Sequence, residues 1–508
     1  MPSTITASTS PSAPARPAPR LYRALAALAL AGYTWFLAAH LTVVAGGSDS
    51  SGYLNSARLL AAGKLHAELR VPAELGPVTG ESRDHFTPAG FNHFPGRPHL
   101  APVYPTGFPL HLALAGGLFG WEAGPYLVQL AAALAALWLC YRVGRELGLC
   151  RALAAAGAAV LAVFPVFLFT SIQTLSDTLA TTWSLAALWL GWRARRATAP
   201  VAWAAASGVA LAIAVLVRPT NVLLAPALLV LLGADWRRLA AFVAAGAPGA
   251  VWMFAYNHLL YGSALHSGYG NIYADFARGF AGPTAAHYAI WLPRLLPAVL
   301  LVLPLAALLR PPGRRRDLLV LALAAVPGFT LYLFYGITHE AWWCLRFILP
   351  ALPGLILAGL LGVESLARGP AARWPRAFRP AIAAVLVLWA VGNSAYWMRA
   401  LHVLYVPGYE RVYADAAREL RAHAPANAVV LASLTSGCVY YYTELPVLNF
   451  DFLPDGGFPR YAERARAAGR PFYALIFQTE EETALRRRCP GPWTRVTTVG
   501  NIGLWKLP

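Results

Sequence analysis

The chain has 508 residues, of which 58% are hydrophobic and only 13% charged, with a formal charge of +18. Soluble globular domains carry about 25% charged residues, so a soluble multidomain enzyme is excluded and a polytopic membrane protein is expected. Lys64 and Lys506 are the two lysines; the remaining positive charge is arginine, set in short loops between apolar blocks, which reports topology and not a nucleic-acid partner.

Residues 1–20, rich in Ser, Thr, Ala and Pro, read as a disordered cytoplasmic tail. The apolar run 21–45 is too long for a signal-peptide core and lacks a small-residue cleavage site before Asp49, so it reads as a retained anchor. Arg16, Arg20 and Arg23 hold its start in the cytoplasm. Asp49 is then outside.

The outer loop 47–104 scatters Glu68, Glu74, Glu81, Asp84, His85, His93 and His99 among prolines and glycines. Zinc chemistry would need ligands converging on one face, as in His-Glu-x-x-His; this spacing reads as solvated loop residues. Residues 105–120 are apolar but short, whereas 122–141 make a full span. Arg142, Arg145 and Arg151 belong in the cytoplasm, and only an odd number of crossings joins them to an outer Asp49. Residues 105–120 are therefore expected to form an interfacial or re-entrant helix, covered by protein.

Spans at 152–168, 178–192, 201–217, 222–233, 239–256, 288–309, 318–335, 347–366 and 380–398 follow, each arginine cluster marking the cytoplasm. With the first anchor and 122–141 they give about eleven crossings, the N-terminus inside and the C-terminus outside. A second outer loop lies at 257–287. After about residue 401 the pattern changes, with helices at 411–423 and 480–488 and buried strands at 428–433 and 472–477. The expected fold class is mainly α, a polytopic membrane module at 21–400 with a small extracytoplasmic α/β domain at 401–508. Cysteines 140, 150, 344, 438 and 489 show no metal-ligand spacing; Cys438 and Cys489 share the outer domain, and their pairing is left open.

This topology carries Asp49, Asp177, Arg218, the loop holding Tyr261 and Tyr269, and the segment 339–346 to one outer face. A carboxylate where a span leaves the bilayer is costly and serves pairing, catalysis or ion handling, or caps its helix by about 1 kcal/mol; both readings apply to Asp49. Tyr53, one turn further on, joins it as a substrate-binding candidate. Asp177 caps the next helix or takes part in the chemistry. Arg218 and Arg346 either anchor at the interface, as Trp342 and Trp343 do, or hold a phosphate by bidentate hydrogen bonds. His339 and Glu340 are candidates to position that phosphate or a sugar. Tyr261 and Tyr269 line a sugar cleft or belong to an aromatic belt. The chain has no Gly-rich phosphate loop, which disfavours a nucleotide cofactor or a nucleotide-sugar donor.

Five segments, Ser48-Asp-Ser-Ser-Gly-Tyr-Leu, Tyr104-Pro-Thr-Gly-Phe-Pro-Leu, Val217-Arg-Pro-Thr, Tyr256-Asn-His-Leu-Leu-Tyr-Gly-Ser-Ala-Leu-His-Ser-Gly-Tyr and Arg346-Phe-Ile-Leu-Pro, resemble successive landmarks of the glycosyltransferase C superfamily. The likeness is to its bacterial branch, related to protein O-mannosyltransferases and the aminoarabinose transferase. It spans about residues 25–400, and the tail resembles the small α/β domains of some relatives. The resemblance implies an integral membrane glycosyltransferase, hexosyl or pentosyl, that moves a sugar with inversion from a polyprenyl-phosphate carrier to an extracytoplasmic acceptor. Asp49 matches the family's acidic residue of the first outer loop and is the expected catalytic residue. Where many relatives have an adjacent Asp-Glu or Glu pair, Ser50 follows Asp49 here, so the need for a divalent cation is left open. The implied place is the bacterial inner (plasma) membrane, the partners being lipid-linked donor, acceptor and bilayer. A glycolipid transporter or flippase is the alternative, and a scaffold subunit a third reading. Spans nearly free of ionisable residues and polar groups gathered on one face favour transfer over transport.

Overall fold

The computed structural model describes residues 19–94, 99–196, 198–308, 312–367 and 377–508. The tail expected at 1–20 falls outside the described residues up to residue 18, as do Arg310, Arg368, Arg373 and Arg376, which the sequence assigns to the cytoplasm. The chain divides into two compact units, 1–40 and 41–508. The first contains helix α1 (Pro19–His40), which stops short of the apolar run's end; residues 41–46 have no regular structure.

The second unit begins with α2 (Ser48–Ala61). A hairpin follows, β1 (Phe91–His93) antiparallel to β2 (Leu100–Pro102). Helix α3 (Gly107–Glu146) breaks at Gly120, whose φ of 81° and ψ of 159° fit a residue without Cβ. Across this break Gly116 abuts the Trp121 ring and Gly124 abuts the Ala115 carbonyl. The short segment 107–119 thus folds back on the long one at Gly120, where the sequence reading expects an interfacial or re-entrant helix.

Helices α4 (Arg151–Val163) and α5 (Pro165–Ser171) meet at a 63° bend. Phe164 between them is extended, as a residue before proline prefers. Helices α6 (Asp177–Arg196) and α7 (Pro200–Val217) pack along each other, and α6 also lies on α3. A 3-10 turn over Pro219–Leu224 leads into α8 (Ala225–Leu232), and α9 (Trp236–Tyr261) packs on α7. Beyond them come α10 (Ala281–Leu295), the short α11 (Val299–Val302) and α12 (Pro304–Leu308), and α13 (Pro312–Leu333). A ten-residue 3-10 stretch, Trp342–Ala351, precedes α14 (Leu352–Ala367) and α15 (Phe378–Ala400). So long a 3-10 run is uncommon and marks functional or strained sequence.

Among the described residues six helices are long and apolar enough to cross a bilayer, or seven with the bent pair counted as one span. This is a multi-pass membrane protein. The expectation of eleven crossings draws also on α6 and on the shorter apolar helices Ala24–His40, Pro219–Leu232 and Val299–Leu308.

After α16 (Val406–His423) the chain builds β3 (Val429–Ala432), α17 (Ser436–Tyr442), β4 (Val447–Asn449), α18 (Phe458–Ala467), β5 (Phe472–Phe477), β6 (Thr494–Val499) and β7 (Ile502–Leu507). The sheet order is β4-β3-β5-β7-β6, the first three strands parallel and the last two antiparallel to their neighbours. Val429, Leu431, Ala474 and Ile476 face Phe458 and Tyr461, whereas Val430, Ala432, Tyr473 and Leu475 face Ala416 and Leu420. Both faces are covered, which is why these strands read as continuous apolar runs. The open question of a disulfide resolves against one: Cys438 and Cys489 are both buried and free, and Cys438 donates to the Tyr413 carbonyl at 3.2 Å.

Candidate active site

Four charged residues from separate elements converge. Asp49 lies in the first turn of α2, and Asp177 opens α6 as a buried residue only 1% exposed. Arg218 ends α7 in extended backbone, φ −150° and ψ 105°, the conformation that Pro219 imposes on the residue before it. Arg346 comes from the 3-10 stretch. Arg218 donates to the Asp177 carboxylate and, at 3.3 Å, to the Arg346 carbonyl. Arg346 Nη1 lies 2.7 Å from Asp49 Oδ2 and 3.9 Å from Asp177 Oδ2.

Access separates the two carboxylates. The Asp177 side chain is 2% exposed, but that of Asp49 is 31% exposed, so Asp49 can meet a substrate while Asp177 braces the arginines from behind. The arginine side chains are 14–15% exposed and are shelved on aromatic faces. Both guanidinium carbons lie 5.3 Å from the Phe347 ring, and that of Arg346 is equally far from Trp343. Such cation–π packing fixes the planes of the guanidinium groups.

An aromatic wall completes the cleft. The Tyr53 hydroxyl bonds Ser176 Oγ at 2.8 Å, and its ring packs on Tyr104 and Phe108 at 4.6 and 4.9 Å. Tyr104 hydrogen-bonds Ser48 at 3.1 Å and meets Tyr269 edge to face at 5.9 Å. Tyr269 is 48% exposed, so one face remains open. Burial alone would push the Asp49 carboxyl up, yet Arg346, the Tyr104 hydroxyl and Arg218 outweigh it and hold it below the usual aspartate value. Burial and the Asp49 charge raise the Tyr104 phenol well above its ordinary value, which keeps it a neutral donor.

The structure brings Asp49, Tyr53, Asp177, Arg218 and Arg346 together and sets Tyr269 beside them through Tyr104. His339 is engaged elsewhere, its Nδ1 3.4 Å from Thr284 Oγ1 and its ring 5.9 Å from Phe280, and Glu340 is exposed. Among the described residues the ion-pair network contains neither. Tyr261 is buried and donates to the Pro102 carbonyl at 2.8 Å, a structural contact. His85 bonds Tyr461 at 2.9 Å, while His66 stacks on His99 at 4.1 Å. No group of three His, Cys, Asp or Glu side chains that could hold a metal occurs among the described residues. Tyr104, Ser176 and Phe347 were not among the candidates read from the sequence, although Ser176 and Phe347 flank Asp177 and Arg346 in the chain.

With this geometry in view, the comparisons with known proteins acquire a scale. A family model described as dolichyl-phosphate-mannose-protein mannosyltransferase matches residues 104–259, a stretch holding Tyr104, Asp177 and Arg218. The fold resembles ArnT from Cupriavidus metallidurans bound to undecaprenyl phosphate, with a TM-score of 0.57 and 14% identity over 96% of this chain and 98% of that one. At that identity the likeness shows a shared fold. The archaeal oligosaccharyltransferase AglB from Archaeoglobus fulgidus, in complex with an inhibitory peptide and a dolichol-phosphate, matches with TM-score 0.55 and 14% identity, covering 96% of this chain and 74% of that one. The arabinofuranosyltransferase AftD from Mycobacteria matches with TM-score 0.54 and 17% identity over 95% of this chain and 41% of its own length. No curated protein matches the chain in sequence. The resemblance read from the five motifs agrees with the family model over residues 104–259 and with the fold of these structures.

Proposed function

We propose that the protein is an integral membrane glycosyltransferase that moves one sugar, with inversion, from a polyprenyl-phosphate carrier to an acceptor hydroxyl on the extracytoplasmic side. The observation that carries this reading is the partly exposed Asp49 carboxylate set on Arg346, next to a buried Asp177–Arg218 pair. The superfamily fold supports it, as do the solved structures whose titles name undecaprenyl phosphate and dolichol-phosphate.

In the proposed mechanism the donor phosphate lies on the outer sides of Arg346 and Arg218, whose planar guanidinium groups match phosphate oxygens. The acceptor oxygen attacks the anomeric carbon, the bond from that carbon to the phosphate oxygen breaks, and polyprenyl phosphate leaves with the electron pair. Asp49 takes the acceptor proton. General-base assistance of this kind contributes about 100- to 10,000-fold. Charge developing on the leaving phosphate meets preorganised cations, a stabilisation worth about 3–4 kcal/mol for a single donor of this type. Tyr269, 48% exposed, offers a ring face to a sugar, while the buried Tyr53 and Tyr104 rings pack beside it.

In the proposed topology the chain crosses the bacterial inner (plasma) membrane about eleven times, with the site and the C-terminal α/β region outside. The decisive experiment incubates the purified protein in nanodiscs with radiolabelled polyprenyl-phosphate sugars and envelope acceptors. Mass spectrometry of envelope glycans after gene deletion names the sugar. Translocation of glycolipid without any new glycosidic bond would replace this reading with a flippase.

A further inference from the structure

The turn that carries Asp49 has no cap of its own. Gly47 occupies the N-cap position of α2 and offers no side chain, although the first turn of a helix leaves amides in need of acceptors. The acceptor arrives from α16. Glu410 receives the Ser50 hydroxyl at 3.0 Å and the Gly47 backbone N–H, and the Gly46 N–H in turn reaches Ser50 Oγ at 3.2 Å. A Cβ on Gly46 would collide with the Glu410 carboxylate. Asp49 therefore sits between two residues, Gly47 and Ser50, that one glutamate holds.

Neighbouring contacts fasten the same junction. Arg411 Nε donates to Thr42 Oγ1 at 3.2 Å, the Ala45 N–H donates to the Tyr442 hydroxyl at 3.1 Å, and Asn55 donates to the Gly437 carbonyl at 3.1 Å. All three partners lie in α16 or α17.

We propose that Glu410 is a positioning residue: by capping the first turn of α2 it fixes the direction of the Asp49 carboxylate toward Arg346, and so makes the C-terminal α/β region part of the transferase site. This rests on the reading of Asp49 as the base. Glu410 faces Asp49, Tyr413 and Cys438, while Arg346, Arg218 and Tyr104 face Asp49 from the other side. Burial and the Asp49 charge raise the Glu410 carboxyl above its ordinary value, against the Ser50 and Gly47 hydrogen bonds. Each carboxylate thus opposes ionisation of the other.

The test uses the full chain in nanodiscs. E410A is expected to lower kcat by at least about tenfold, since a misplaced base loses most of its effect, with the KM for the lipid donor unchanged. E410Q keeps an acceptor for Ser50 and should recover most of kcat. Hydrogen exchange at amides 47–51 should quicken in E410A. If E410A is not recoverable from membranes, G46A takes its place, since the added methyl dislodges the same carboxylate. Wild-type exchange at these amides overturns the proposal, as does equal kcat loss in E410A and E410Q. A wild-type protein that transfers no sugar would instead overturn the function, and the exchange experiment would still decide the positioning.

Discussion

Arg346 holds Asp49 across 2.7 Å, so the proposed base is tied to the proposed phosphate ligand before any donor arrives. A phosphate entering the site competes for the same guanidinium and loosens that pairing as it binds. Replacing Asp49 by Asn should therefore lower transfer by about 100- to 10,000-fold without weakening the affinity for polyprenyl phosphate, because a competing anion has been removed. Single-turnover transfer and titration with a polyprenyl phosphate measure the two quantities. Full activity in D49N would remove Asp49 from the mechanism.

The same pairing sets a pH dependence. Arg346 and its neighbours lower the Asp49 carboxyl below its ordinary value, so in the free protein it remains a competent base down to more acid pH than an isolated aspartate would. The acid limb of kcat/KM, which reports free enzyme, should lie below about pH 4. Once phosphate has drawn Arg346 away, the Asp49 carboxyl rises, so the acid limb of kcat should lie at higher pH than that of kcat/KM. A reversed order of the two limbs would contradict the competition.

Much of this site was legible in the chain because its parts sit at ends of apolar blocks, where a charge has few reasons to be. Arg218 before Pro219 and Asp177 at the start of α6 were visible in this way, and counting arginine clusters set residues 105–120 apart from the full spans. What the sequence left undetermined was partnership. Nothing in it distinguishes the Asp177–Arg218 pair from two snorkelling side chains, because their contact depends on the packing of α6 against α7. Glu410 was hidden for a different reason: it heads an amphipathic helix, where an acidic residue reads as solvated surface. His339 and Glu340 were chosen by nearness to Arg346 in sequence, but neither belongs to the 3-10 stretch Trp342–Ala351 that presents Arg346.

Asp177 and Arg218 make a buried pair, 2% and 15% exposed, and their substitution should report on stability as well as chemistry. D177N removes the carboxylate that compensates Arg218 and steadies Arg346, a loss of about 3–5 kcal/mol. A fall in the thermal unfolding midpoint in detergent would record it. The double exchange D177L/R218M replaces the pair by apolar groups of similar reach and should recover most of that stability without recovering transfer. If D177N unfolds at the wild-type temperature, the pair does not brace the site.

The close approach of α2 to the β1–β2 hairpin supplies the last prediction. A Cβ on Gly52 would strike the Tyr104 ring and come within 2.9 Å of the Gly90 Cα. Gly90 lies at φ 89°, a conformation that suits glycine, so the hairpin backbone cannot readily withdraw. G52A should then push α2 away from Tyr104 at a cost of about 1–3 kcal/mol. Asp49, less than one turn earlier on the same helix, moves with it relative to Arg346. The expected outcome is a modest fall in unfolding temperature with a disproportionate fall in kcat, since a displacement of about 1 Å at a reacting group costs about 100-fold. Loss of stability with undiminished kcat per folded molecule would show that α2 does not set the position of Asp49.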